Sequence, residues 1–274
     1  MQQWTRKQRL RIGIINLMPR VQHYEPYLLR PLTQAEVPFE PAWIRLHSQT
    51  YATRDAAHLE QCYQSFDQAG ALDGLIVTGA PVEELEFATI PYWPELAHIL
   101  DLARACALPC LGLCWGGLAL AFQLGVRKTN FEHKLFGVFE LRRLEPEHPL
   151  FRESDDVFVC PQSRHSGISD AELEAAVSDG RVRALAHSSA AGYSIFESAD
   201  GRSVMHLGHP EYDAERLVYE YGRDLAANRF DVRAPVALDL ERPVTRWRSH
   251  RNDFFRQWLR AICATNDARV DSTG

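Results

Sequence analysis

Two short stretches hold the residues whose types and spacing could do chemistry. Gly112-Leu113-Cys114-Trp115-Gly116-Gly117 sets a single cysteine among small residues. Glycines on both sides let the backbone take a strained turn from strand into helix, with the thiol projecting from it. A helix N-terminus lowers the pKa of a thiol, and the amide N–H of the next residue, Trp115, is placed to meet a developing oxyanion. The second stretch is Gly208-His209-Pro210-Glu211-Tyr212. A cysteine nucleophile needs a base to take its proton and a third group to orient that base. His209 and Glu211 stand two apart, so a bend at Pro210 can turn the carboxylate back onto the imidazole. Cys114, His209 and Glu211 therefore read as nucleophile, base and orienting acid of a cysteine hydrolase or acyl transferase. Each motif alone has a plainer reading, a buried cysteine before a Gly-rich turn or a charged surface turn. The combination is what points to catalysis.

These residues must be positioned by the elements around them. Arg11–Asn16, Phe39–Leu46, Asp73–Thr78 and Pro109–Leu113 are short apolar runs that read as strands. Tyr24–Ala35, Ala56–Phe66, Tyr92–Ala107 and Leu118–Gly125 carry helical spacing. Such alternation predicts a three-layer α/β fold, a mostly parallel sheet with helices on both faces and right-handed crossovers. Open sheets of this kind bind ligands at the carboxyl ends of their strands, which is where Cys114 falls. Leu135–Arg143, Val157–Pro161, Tyr193–Glu197 and Ser203–Leu207 read as further strands without long helices between them, hence as antiparallel additions. Asp213–Ala227 and Ser249–Thr265 are the last two helices. Nothing splits the chain, so residues 1–274 read as one domain, with a core over about 9–227 and an extension with a final helix over about 228–266.

Composition narrows the class. The chain has 274 residues, 46% hydrophobic and 24% charged, with a formal net charge of −6. These are ordinary values for a globular protein, and the negative balance argues against nucleic-acid binding. No apolar run reaches the roughly 18 residues of a membrane span. The basic N-terminal stretch lacks the pattern of a secretion signal, so a cytoplasmic setting is expected. Six cysteines without a Cys-x-x-Cys pair do not read as a disulfide framework in such a chain. Cys106, Cys110 and Cys114 are spaced by four, but Pro109 breaks the helix that would align them, and no metal site is expected.

The two motifs, in this order on an α/β chain, resemble the class I glutamine amidotransferase fold. The remaining blocks are similar to the MetA-type homoserine O-acyltransferases: Asn16-Leu17-Met18-Pro19, Thr78-Gly79-Ala80-Pro81, Tyr92-Trp93, Phe136-Gly137-Val138-Phe139-Glu140, Ser163-Arg164-His165, Gly208-His209-Pro210-Glu211-Tyr212-Asp213 and Trp247-Arg248-Ser249-His250. The similarity runs from about residue 9 to about residue 266. The resemblance implies a ping-pong transfer in methionine biosynthesis, in which the thiolate takes an acyl group from acyl-CoA and a small amino acid's hydroxyl then accepts it. It implies no cofactor beyond acetyl-CoA as co-substrate, small-molecule partners only, and a homodimer. Residue by residue, it implies that Arg223 holds the acceptor carboxylate, that Ser163 lies in the active site, and that Lys134 stands at its mouth to meet the CoA phosphates. Val82, the first N–H after Pro81, is the candidate second oxyanion donor beside Trp115. Glu83 stands where the resemblance separates donors, glycine going with succinyl-CoA and glutamate with acetyl-CoA. A glutamate there would repel and crowd a succinyl carboxylate.

The chain also departs from that pattern. The usual acidic stretch after Asn-Leu-Met-Pro is Arg20-Val21-Gln22-His23-Tyr24-Glu25, of which only Glu25 is retained, and the usual Pro-His-Ser-Arg is Pro161-Gln162-Ser163-Arg164. The first change leaves L-serine open as an alternative acceptor to L-homoserine, since one methylene carries only about 1–3 kcal/mol of discrimination. Succinyl-CoA as donor, a glutamine amidotransferase-like hydrolase and a non-catalytic relative are the other readings.

Overall fold

The computed structural model describes residues 9–271, with side chains through residue 266. The first eight residues of the basic N-terminal stretch, on which the secretion-signal reading rests, lie outside the described residues. Among those described, no helix is long and apolar enough to cross a membrane.

The expected alternation builds four strands of one half of a nine-stranded sheet, and Ser203–His206, expected among the antiparallel additions, joins them parallel to the fourth. β1 (Leu10–Ile15), β2 (Phe39–Ile44), β3 (Gly74–Val77), β4 (Cys110–Leu113) and β9 (Ser203–His206) lie parallel in the order β2-β1-β3-β4-β9. Their central residues are buried on both faces, as strands sandwiched between helices must be. Among the covering helices, α1 (Val21–Thr33) and α2 (Ala56–Cys62) follow β1 and β2. α3 (Trp93–Ala105) buries Leu96, Ile99, Leu100 and Ala103, one stripe at helical spacing. Each leucine so buried contributes about 1.5–3 kcal/mol.

The other half is antiparallel. β5 (Thr129–Arg143), β6 (Val157–Gly167), β7 (Val182–Ser188) and β8 (Gly192–Ser198) extend the sheet from β9 in the order β9-β8-β7-β5-β6. Two strands are longer than their apolar runs suggested. β5 begins at Thr129 and β6 reaches Gly167, so Lys134 and Ser163-Arg164-His165 sit on strands. The register of this pair shifts between Asn130 and Leu135, and Lys134 lies in that irregular stretch. β7 and the short α5 (Asp170–Ser178) were not legible as periodic patterns. α5 is short and acidic, held at its start by Ser169 Oγ accepting from Glu172 N at 3.2 Å.

The C-terminal segment returns to this sheet. Val236 pairs with β5, its N–H donating to Phe136 O and its carbonyl accepting from Val138 N, both at 2.9 Å. Gly137, at φ +133°, makes this possible, since a β-carbon there would fall 2.3 Å from Val236 N. α6 (Ala214–Ala226) follows β9, and α7 (Arg248–Asp271) buries Phe254, Phe255, Trp258 and Leu259 in the core on the α1 side.

α4 (Trp115–Gln123) starts directly from β4 and packs into the sheet at almost no distance. A β-carbon on Gly116 would lie 2.2 Å from Val77 O, and one on Gly112 2.4 Å from Gly116 O. Trp115 anchors the helix from below, its ring against Phe87, Tyr92 and Trp93. Gly116→Ala should therefore destabilise the protein by about 3 kcal/mol or prevent folding, because backbone rather than a flexible side chain blocks the methyl group. Gly222→Ala, in an exposed turn of α6 with nothing within 4 Å of the new carbon, should stabilise by about 0.5–1 kcal/mol. Chemical denaturation of both variants checks the contrast.

Candidate active site

Cys114 closes β4 and caps α4, with φ +50° and ψ −114°, a conformation that costs a side chain strain. Its N–H donates to His206 O at 2.8 Å, and its carbonyl accepts from Leu118 N at 3.2 Å, so the strained residue is held from both sides. His209 follows β9, the neighbouring strand, and its N–H donates to Pro161 O at 2.9 Å. Gly208 is required before it, since a β-carbon there would meet Cys160 Sγ, Gln162 Nε2 and Pro161 O at 2.8 Å. A carbon on Gly79 would lie 3.2 Å from His209 Cε1 and 3.5 Å from Cys114 Cβ, which places imidazole and thiol around the same glycine.

His209 Nδ1 bonds Glu211 Oε1 at 2.8 Å, leaving Nε2 for the thiol. Tyr24 Oη, from α1, donates to the same Glu211 oxygen at 3.0 Å, while Glu211 Oε2 is buried with no partner. Cys114, His209 and Glu211 are all buried. Burial works against a charged imidazole, but the Cys114 sulfur and the Glu211 carboxylate outweigh it and hold His209 well above its ordinary value. Burial pushes the Cys114 thiol up, and His209 pulls against it. A thiol, an imidazole and a carboxylate in this order can pass a proton from sulfur to Nε2 and stabilise the imidazolium that results.

Cys114 and His209 open on a cleft of about 310 Å³. Glu83 is buried in its wall rather than directed to solvent. Its Oε1 accepts from His165 N at 2.8 Å, and its Oε2 lies 4.0 Å from Cys114 Sγ. Burial raises its carboxyl above the ordinary value, with the His165 amide and Lys134 working the other way. Val82 lines the same cleft, and Trp115 is the first residue of α4, whose N–H has no carbonyl one turn earlier to bond.

Ser163, Lys134 and Arg223 also reach the cleft, but all three are engaged there. Ser163 Oγ donates to Glu220 Oε2 at 2.5 Å. Lys134, expected at the mouth where it could meet CoA phosphates, lines the cleft with its charge paired. It is buried, its Nζ lies 2.7 Å from Asp224 Oδ2 and 3.9 Å from Glu220 Oε2, and it sits 4.3 Å above the Phe136 ring. Its charge is spent on those two acids. Arg223 is half-exposed, and its Nε and Nη2 both hold Asp224 Oδ1, at 2.8 and 2.6 Å.

Several residues of this wall were not singled out in the sequence. Tyr212 stacks on His209 with ring centroids 4.1 Å apart and donates to Glu220 Oε1 at 3.0 Å. Arg216 Nη2 lies 3.0 Å from that oxygen. Burial alone would raise the Glu220 carboxyl, but Lys134, Arg216 and His209 hold it down at about 2. The signal that could have found this network is on α6, where Glu220 and Asp224 sit one turn apart on the stripe that also buries Ala214 and Leu217. Glu25 does not line the cleft; it bonds His58 Nε2 at 2.7 Å and Tyr63 Oη at 2.8 Å. At the rim, Glu84, His165 and Asp231 could offer a cation ligand atoms within 4.8 Å of one another. Arg229 already occupies that place, its Nη2 3.1 Å from Glu84 Oε2 and 2.7 Å from Asp231 Oδ2. Cys106, Cys110 and Cys114 fall at the end of α3, on β4 and at the start of α4.

Known proteins share both sequence and fold. The family model described as homoserine O-succinyltransferase matches residues 2–268. A homoserine O-acetyltransferase of Petrotoga mobilis is 39% identical over 258 residues, covering 91% of this chain and 82% of its own. Proteins of the same description from Bacillus subtilis and Ruegeria sp. are 36% and 33% identical, covering 91% and 97% of this chain and 84% and 86% of theirs. A solved glutamine amidotransferase from Thermotoga maritima superposes with a TM-score of 0.62 at 13% identity, covering 93% of this chain and 99% of that one. Another, from Methylobacillus flagellatus, gives 0.58 at 14%, covering 92% and 94%. At these identities the likeness speaks for the fold.

The geometry ranks the triad variants. His209→Asn should lower turnover by about three orders of magnitude or more, because it removes the imidazole that Glu211 orients to take the thiol proton. Glu211→Gln should cost less, because it keeps a group beside Nδ1. It should also lower the His209 pKa, since one of the two anions that raise it is gone, so the ring loses its proton at lower pH. Steady-state rates and an NMR titration of His209 measure both. A Glu211→Gln ring titrating as in wild type would show that the carboxylate does not set the imidazole's charge.

Proposed function

The chain belongs to the homoserine O-succinyltransferase family, and from that premise we propose that it moves an acetyl group from acetyl-CoA to the side-chain hydroxyl of L-homoserine, through a thioester on Cys114. The family makes it an acyltransferase of methionine biosynthesis. The donor, the acceptor and the covalent route are our reading. A single observation carries the choice of donor, the Glu83 carboxylate 4.0 Å from the nucleophilic sulfur.

In the first half-reaction His209 Nε2 takes the thiol proton and the thiolate attacks the acetyl carbonyl carbon. The developing oxyanion is met by the N–H groups of Trp115 and Val82. The carbon–sulfur bond to CoA breaks, and His209 returns its proton to the departing thiolate. In the second half-reaction His209 takes the acceptor's hydroxyl proton, the oxygen attacks the thioester, and Cys114 leaves as the thiol's conjugate base to be reprotonated. Two easier steps replace one difficult transfer.

The acceptor is a zwitterion, and the cleft wall offers both signs of charge. Arg223 can meet a carboxylate with its guanidinium, at the cost of loosening its hold on Asp224, while Glu220 and Asp224 suit an ammonium group. L-serine carries the same two charges, so the second reading, serine as acceptor, differs only in reach. The homodimer and the cytoplasmic setting implied by the resemblance belong to the same proposal.

The discriminating experiment measures kcat/KM by CoA thiol release, with acetyl-CoA and succinyl-CoA as donors and homoserine and serine as acceptors. Acetyl-CoA with homoserine should be the best pair. Like charges about 4 Å apart at an effective dielectric of about 20 repel by roughly 4 kcal/mol, up to a thousandfold in rate, and solvent at the cleft mouth reduces this. Glu83→Gly should therefore raise the succinyl-to-acetyl ratio, chiefly by loss of acetyl transfer if no cation faces the new carboxylate. Because burial raises the Glu83 carboxyl, lowering the pH should neutralise it early and move the wild-type ratio in the same direction. A wild type that prefers succinyl-CoA, or a ratio untouched by Glu83→Gly, would remove Glu83 as the selector.

A further inference from the structure

His209-Pro210-Glu211-Tyr212 closes as a four-residue turn, with Tyr212 N–H donating to His209 O at 3.1 Å. A proline in second place pre-sets such a bend. The turn carries its fourth residue back over its first. The Tyr212 ring lies flat on the His209 imidazole, with 4.1 Å between centroids and 12° between planes. Tyr212 is 1% exposed, and contacts from several elements hold it there. Its hydroxyl donates to Glu220 Oε1 at 3.0 Å, and its carbonyl accepts from Trp247 Nε1 at 2.8 Å. The Arg216 guanidinium carbon lies 5.2 Å from the centre of the ring, and the Tyr27 ring of α1 packs at 5.9 Å.

The stack supplies what the bond to Glu211 does not. That single bond, 2.8 Å at Nδ1, fixes where one nitrogen points but leaves the imidazole free to tilt about it. A tilt carries Nε2, on the far side of the ring, away from the sulfur. A flat neighbour in van der Waals contact blocks it. At Cε1 the ring is confined again, beside Gly79, where a β-carbon would stand 3.2 Å away. The contact also has an electrical side. The face of a phenol ring is electron-rich and favours a cation over a neutral ring, and the proton taken from Cys114 makes His209 a cation. The charged and titratable groups around His209 are Cys114 at the start of α4, Glu211 with Tyr24 of α1 behind it, His206 of β9, and Glu83 and Glu220 of the cleft wall. Among the described residues, Tyr212 is the one aromatic ring stacked on the imidazole.

We propose that Tyr212 is a positioning residue: its ring, stacked flat on His209, keeps Nε2 aimed at the Cys114 sulfur and favours the imidazolium formed there. The proposal rests on Cys114 and His209 being nucleophile and base. It gives Trp247 and Arg216, neither of which lines the cleft, a part in the site, since both hold the ring. It also joins the base to the cleft wall, because Glu220, which lines the cleft, accepts from the same tyrosine.

The test reads the aim of the base with no acyl donor present. Cys114 lines the cleft, and its alkylation by iodoacetamide at neutral pH is followed peptide by peptide, so that exposed Cys62 does not contribute. His209→Asn gives the rate without the base. Tyr212→Leu removes the ring, and Tyr212→Phe keeps it while losing the bond to Glu220. Tyr212→Leu should slow alkylation about tenfold, toward the His209→Asn rate, the equivalent of about one pH unit in the thiolate–imidazolium pair. Tyr212→Phe should stay within about threefold of wild type, half a unit on the same scale. In turnover, Tyr212→Leu should lower kcat by about tenfold to a hundredfold and leave the donor KM nearly unchanged. If Tyr212→Leu does not fold, Tyr212→Met, unbranched and able to fill the space, replaces it. If neither folds, the Tyr212→Phe rate decides alone. A folded Tyr212→Leu or Tyr212→Met alkylated as fast as wild type overturns the proposal, as does a Tyr212→Phe rate as low as that of His209→Asn. Tyr212 would then be a bracing residue of the core. The alkylation result is independent of acetyl transfer. Expected alkylation rates in a wild type that transfers no acetyl group would count against the proposed activity instead.

Discussion

Cys114 can stand at φ +50° only because α4 starts within van der Waals contact of the sheet, and that closeness is a backbone constraint. Gly112 and Gly116 let the first turn of α4 press against β4 and the end of β3, and Trp115 fills the space beneath. The strain at one residue is then carried by many contacts that cannot relax separately. Everything else in the cleft is placed relative to this turn. Met18-Pro19 follows β1, Glu83 follows β3 and His209 follows β9, so neighbouring parallel strands deliver their carboxyl-end turns to one point.

The second constraint is charge. The cleft gathers the carboxylates of Glu83, Glu220 and Asp224, with Glu211 behind His209, near a sulfur that must itself become negative. Lys134, Arg216 and Arg223 are bound up with Glu220 and Asp224. His209 is held by Glu211. The antiparallel half of the sheet thus has an electrostatic task. β5 supplies Lys134 and β6 supplies Ser163 and Arg164, while the parallel half supplies the reacting groups.

What could be read in the sequence follows the same division. β1 to β4 and α3 are compact runs with clear periodicity, and their boundaries differ from expectation by a residue or two. Cys114, His209 and Glu211 were legible because each sits in a local motif whose spacing has a mechanical reason. Glu220, Asp224, Arg216 and Tyr24 were not, because their partners are distant in sequence and only the packing of α6 and α1 against the sheet brings them together. The pairing of Lys134 was not legible for a related reason. A lone lysine gives no sign that two acids ninety residues later will enclose it. β7 was hidden because Val182–Ser188 alternates charged and apolar residues weakly, and β6 was cut short at Pro161, which in fact lies inside the strand. Arg164 lies within Ser163-Arg164-His165, yet only the hydrogen bonds of its three nitrogens reveal that neutral acceptors hold it.

The central claim is a covalent intermediate on Cys114. Mixing the protein with acetyl-CoA in the absence of any acceptor, quenching, and mapping the mass gain to a peptide tests it most directly. The account predicts one acetyl group per chain, located on Cys114 and discharged when homoserine is added. An acetyl group on another residue, or turnover with homoserine while Cys114 never carries one, would contradict it.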